Sequence, residues 1–143
     1  MNSMLTAAEL TQFERLAGYL ILARASELRA RPFARDKLYL VAAAVATRSL
    51  WPKTAACCRA RILQHNPQHG VGRLSTMEQS LRNSEFQLIL IKAEQLYPPE
   101  HAEYLLAKLN ISVSEEQAQF ANQRDFLAAL LQARAEELDA CLE

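Results

Sequence analysis

Between Lys53 and Arg73 the chain gathers most of the side chains it could use for chemistry. Four cations stand there, Lys53, Arg59, Arg61 and Arg73, with two histidines, His65 and His69, and no carboxylate. Gly70 and Gly72 fall in the loop over 65–73, and a residue without Cβ lets backbone N–H groups come close to an oxyanion. The loop leads into the start of a further helix, where the dipole favours negative charge. Lys53, Arg59, Arg61, His65, His69 and Arg73 are therefore the candidate site for an anionic partner. The stretch lacks the Gly-Lys-Ser/Thr ending of a P-loop, and no strand precedes it as a dinucleotide fingerprint requires. The same residues also read as a plain helix connection. In that reading Gly70 and Gly72 supply positive φ and the histidines cap a helix end.

Two other chemistries could draw on the same stretch. Cys57, Cys58, His65 and His69 contain ligand types for a metal. However, Pro67 and Gly70 interrupt the helix that His-x-x-x-His spacing needs, and adjacent cysteines are poor ligand spacing. The cysteines read better as small buried apolar residues, and neither a metal nor a cofactor is expected. A nucleophilic enzyme needs an activated Ser or Cys with a base beside it. Only His65, His69 and His101 could serve as an imidazole base, and no Gly-x-Ser-x-Gly elbow is present. No catalytic residue is assigned.

The charge is polarised. The 143 residues sum to zero, yet ten bases and two acids fall in 24–73, while five bases and twelve acids fall in 74–143. No acid lies between Asp36 and Glu78. Either the two parts neutralise one another in space, with Glu78, Glu85, Glu94 and the C-terminal acids as the suppliers, or the basic part faces a partner. Two arginines stand on apolar stripes, Arg24 on the first helix and Arg134 on the last, where each must snorkel, pair or meet a partner.

The elements that hold these residues read as helices throughout. With 50% hydrophobic residues, three glycines and five prolines, the composition disfavours an all-β sandwich and excludes collagen and broad disorder. Thr6-Ala7-Ala8-Glu9 is a capping box opening a helix over about 7–30, with Leu10, Phe13, Ala17, Leu20, Ile21 and Leu28 at helical spacing. A second helix covers about 35–50. It has no polar residue from Leu38 to Ala46, which predicts a buried central element in which Val41 and Val45 are almost free of solvent. A third covers about 53–65. Ser75-Thr76-Met77-Glu78 reads as a second capping box for a short helix reaching about 83. Ser84 caps a helix over about 85–97, where Leu88 and Ile91 fall off the stripe and suggest burial on two sides; a short strand over 87–91 is the weaker alternative. Pro99 suits the first turn of a sixth helix, Ser112 or Ser114 caps the next, and a last helix runs over about 123–141.

The expectation is an all-α domain over 1–143, with six to seven helices around the buried helix 35–50. The longest apolar run, nine residues, is far short of the roughly 20 of a membrane span. The first four residues carry no signal-peptide pattern, and three cysteines form no disulfide framework, so a cytoplasmic setting is expected. For function the expectation is a binding, adaptor or regulatory module with a protein partner, including self-association. The alternative is a nucleic-acid-binding accessory protein using 53–73, against which an overall pI near 6.8 counts.

Overall fold

The computed structural model describes residues 7–139, and within them the chain is all-α. Eight α-helices follow one another: α1 (Ala7–Leu28), α2 (Pro32–Arg48), α3 (Pro52–His65), α4 (Met77–Arg82), α5 (Ser84–Leu96), α6 (Pro99–Lys108), α7 (Val113–Gln117) and α8 (Gln123–Leu131). Two 3₁₀ turns, Gly70–Gly72 and Ala135–Glu137, complete the elements. The Thr6 capping box and Cys141 lie outside the described residues.

Helix α2 packs along both α1 and α3. Helices α4 and α5 close on α2, while α6, α7 and α8 close on α1. Every residue from Leu38 to Ala44 is buried, and small alanines there let the neighbouring helices approach closely. Val41 is 3% exposed, but Val45 is only partly buried, so the apolar run has one edge at the rim of the core. Helix α2 starts three residues earlier than its apolar pattern indicates. Pro32 sits in its first turn, where the absent N–H costs nothing, and Pro52 and Pro99 open α3 and α6 in the same way.

Other local readings shift. Thr76, not Ser75, caps α4: its hydroxyl accepts from the Gln79 N–H at 3.2 Å, and Gln79 Oε1 accepts from the Ser75 N–H at 3.0 Å. Asn83, not Ser84, caps α5, accepting from the Phe86 N–H at 2.9 Å. Ser112 caps α7. Helix α5 is buried on one side only, through Phe86, Leu90 and Ala93, and Leu88 and Ile91 are exposed. Leu10 and Leu28 on α1 are exposed as well, because that helix outruns the core at both ends.

The last helix stops at Leu131 rather than continuing to 141. Gln132 turns left-handed at φ 55°, and the Ala133 N–H donates to the Ala128 carbonyl at 2.9 Å. Leu138 still reaches the core beyond this break. Arg134 consequently leaves the stripe on which its spacing placed it, lies exposed and pairs with Glu137 at 3.0 Å. Arg24, on α1, is half-buried.

Candidate functional site

Helix α3 and the loop after it distribute the candidate anion-binding residues among different tasks. At the start of α3 the backbone N–H groups of Lys53 and Thr54 donate to the Asp139 carboxylate at 3.2 and 3.0 Å, so the helix N-terminus holds an acid of its own chain. Lys53 and His65 stand at opposite ends of α3, about 18 Å apart along its axis. Arg59 donates from Nε to the Val71 carbonyl at 3.3 Å and from its guanidinium to the Leu74 carbonyl at 2.9 Å, tying the loop to the helix. Arg73 lies 3.8 Å from Glu85, and both side chains are exposed, so the pair contributes little.

His69 caps the first 3₁₀ turn. Its Nδ1 accepts the Val71 N–H at 3.0 Å, which places any ring proton of the neutral form on Nε2. Burial holds its pKa below the usual imidazole value, against the opposing pull of Asp36. Gly70 and Gly72 are not there for positive φ, since no glycine in the chain has it. Packing around them is close: a Cβ would sit 3.0 Å from Ile89 Cδ1 at Gly70 and 3.0 Å from Leu63 Cδ2 at Gly72, and these side-chain ends would have to shift slightly to admit it.

Arg61 and His65 come together, on the side of α3 that meets α1 and α2. Asp36, in the first turns of α2 and 5% exposed, accepts from Arg35 at 2.8 Å and lies 3.1 Å from His65 Nδ1. Arg35, equally buried, also donates to the Arg61 carbonyl at 3.0 Å and lies 3.6 Å from Glu27. Arg61 grips both Glu27 oxygens, at 2.9 and 3.1 Å. Arg35 and Arg61 lie over the Tyr39 ring, 4.9 and 5.9 Å from its centroid. The Tyr39 hydroxyl is fully buried beside the Arg61 guanidinium; burial raises its pKa, and the interaction with Arg61 opposes that rise.

An open groove of about 530 Å³ borders this network, lined by Glu27, Arg31, Arg35, Arg61, Gln64 and His65 among others. A histidine held at Nδ1 by a buried carboxylate has the form of an oriented base. The groove supplies it with no hydroxyl or thiol nucleophile among its lining residues. Cys58 is fully buried and Cys57 half-buried with its sulfur toward the Glu137 carbonyl, and burial pushes both thiols up, away from the nucleophilic thiolate. Among the described residues no group of three or more His, Cys, Asp or Glu is placed to hold a metal ion, and no helix is long and apolar enough to cross a membrane.

A second groove, of about 520 Å³, lies between the α1–α2 turn and α6. Arg31 lines both grooves, so the two flank the same turn. The floor of the second is aliphatic: Leu22 and Leu38 are buried, Leu105 and Leu109 partly so. Its rim carries Arg29, Arg31 and Lys108, all exposed and none in an ion pair among the described residues, together with His101. No carboxylate lines it. Tyr97, His101 and Tyr104 stand in series with ring centroids 6.2 and 6.0 Å apart, and Lys108 Nζ lies 6.0 Å from the Tyr104 centroid. The turn itself exposes Leu28 and Phe33, at 78% and 79%. Nothing in the sequence singles out this groove, because its walls come from three helices and none of its residues forms a motif.

Comparison with protein-family models, with curated proteins and with solved structures finds no match, so the functional reading rests on geometry and chemistry.

Proposed function

We propose that this protein is a non-enzymatic binding module that acts through a protein partner, docking at the α1–α2 turn and the groove beside α6. One observation carries the reading. The turn presents Leu28 and Phe33 to water, and Arg29 and Arg31 of the same turn line the groove beside α6. Exposed aromatic and aliphatic groups next to arginines are what protein interfaces concentrate at their centres, where burial of the apolar part provides most of the affinity. Isolated exposed apolar residues are ordinary, but a turn that exposes two of them beside a groove is a localised feature.

The nucleic-acid alternative on Lys53, Arg59, Arg61, His65, His69 and Arg73 has less support. Arg59 donates to carbonyls and Arg61 to Glu27, while His69 accepts the Val71 N–H within its own loop. That leaves few free cations to follow a phosphate backbone.

A photo-crosslinking residue placed at Leu28 or Phe33, in the native host, tests the proposal, with exposed Leu50 as the control position. The expected result is one protein adduct, identified by mass spectrometry, from 28 and 33 and not from 50. The identified protein should bind the purified chain, and Arg31→Glu should weaken that binding. Adducts to nucleic acid, or adducts no more specific than those at 50, would overturn the reading.

A further inference from the structure

The charge around the second groove says more about what fills it than its shape does. Its floor, Leu22, Leu38, Leu105 and Leu109, asks for apolar side chains. Its rim has three fixed cations and no carboxylate, in a chain whose formal charge is zero. The nearest acids in sequence are engaged elsewhere. Glu27 pairs with Arg61 and Arg35 on the far side of the turn. Glu103 of α6 lines a different pocket, against α1. An occupant without negative charge would therefore leave Arg29, Arg31 and Lys108 uncompensated as water is displaced from them.

Resting on the reading just proposed, we infer that the partner segment is an acidic amphipathic stretch of protein. Its apolar side chains lie on the Leu22–Leu38–Leu105–Leu109 floor and its carboxylates meet Arg29, Arg31 and Lys108. A protein segment is favoured over a small amphiphile because the three cations lie on two separate segments, the α1–α2 turn and α6, and present more positive charge than one carboxylate headgroup meets. A peptide of several residues covers both, whereas one acyl chain fills the floor alone. It is favoured over nucleic acid because four leucines line the groove and its three cations are few to follow a phosphate backbone.

The test uses the whole chain and four labelled probes in fluorescence anisotropy at low salt. They are a 16-residue amphipathic peptide with leucines on one face and glutamates flanking them, the same peptide with every Glu replaced by Gln, an oligo-dT, and a long-chain fatty carboxylate. The acidic peptide should bind most tightly. Its affinity should fall at least about tenfold for the Arg29→Gln, Arg31→Gln, Lys108→Gln triple variant, as expected for losing three exposed charge contacts, and should fall with added salt. All three side chains are exposed, so folding should survive; circular dichroism melting checks this, and the Arg29→Gln, Arg31→Gln double variant repeats the test if the triple variant melts early. Equal binding of the Gln peptide would overturn the acidic inference and leave protein docking standing. Binding of oligo-dT or the fatty carboxylate in place of both peptides would overturn the inference and the protein-partner reading together.

Discussion

Arg61 shows how a residue conspicuous in sequence can be spent inside the fold. No acid lies near it along the chain, and the acids considered for it were those of the C-terminal half. Its partner is Glu27, 34 residues earlier and within the basic half itself. Arg59 satisfies its guanidinium with two carbonyls, an option that counting charges does not reveal. Asp36 and Arg35 were visible only as an ordinary adjacent pair, yet both are almost fully buried and hold α3 against α2. Removing one partner of such a pair strands the other, at a cost of about 3–5 kcal/mol. His69 carries a pH prediction. Burial lowers its folded pKa below the ordinary imidazole value of 6.5, so its contribution to stability is complete above that value and is lost as pH falls through the folded pKa. His69→Asn keeps an acceptor for the Val71 N–H and removes the titration. Urea unfolding at pH 7.5 and pH 5 should show the wild type losing more stability than this variant on acidification. Parallel losses would mean that His69 titrates in the native loop as it does in the unfolded chain.

At the scale of elements, helix existence was legible and helix ends were not. Of the α5 stripe Phe86, Ile89, Leu90, Ala93, Leu96 and Tyr97, residues Phe86, Leu90 and Ala93 are buried, Ile89 and Tyr97 are partly buried and Leu96 is exposed. The apolar run of α2 forecast its burial, because 3.6-residue periodicity is set by the backbone alone. Helix ends depend on single capping bonds, which is why the α4 and α5 caps each moved by one residue. Four helices end on a non-glycine left-handed residue, Ala30, Leu50, Asn110 and Gln132, without the glycine that normally marks such a stop. Each is followed by an N–H that reaches back five residues, as Arg31 does to the Ser26 carbonyl at 2.9 Å and Trp51 to Ala46 at 2.9 Å. A side chain in that conformation costs about 1–2 kcal/mol. Leu50 is 82% exposed and loses almost no packing on truncation. Leu50→Gly should therefore raise stability by about 0.5–1 kcal/mol, the strain relieved exceeding the added chain entropy. Thermal and urea unfolding together check this; a destabilised variant would show that Leu50 contributes packing that its exposure does not suggest.

For the whole molecule, the division of charge was fully legible, but its resolution was not. It is settled piecemeal: Asp139 lies at the start of α3, Glu94 meets Arg48 at 2.7 Å, Glu85 lies loosely by Arg73, and the Glu27–Asp36 network serves Arg35, Arg61 and His65. Arg29 and Arg31 at the α1–α2 turn and Lys108 at the end of α6 are among the cations without an ion pair among the described residues, and only the fold brings these two segments to one groove. The measurement that bears most directly on the account is a ¹H–¹⁵N correlation spectrum of the labelled protein titrated with the acidic amphipathic peptide. Shifts should concentrate at Leu22, Ala25, Arg29, Arg31, His101 and Lys108, and leave Lys53, Arg59 and Arg73 unmoved. Shifts centred on Lys53, Arg59 and Arg73, or none at saturating peptide, would contradict it.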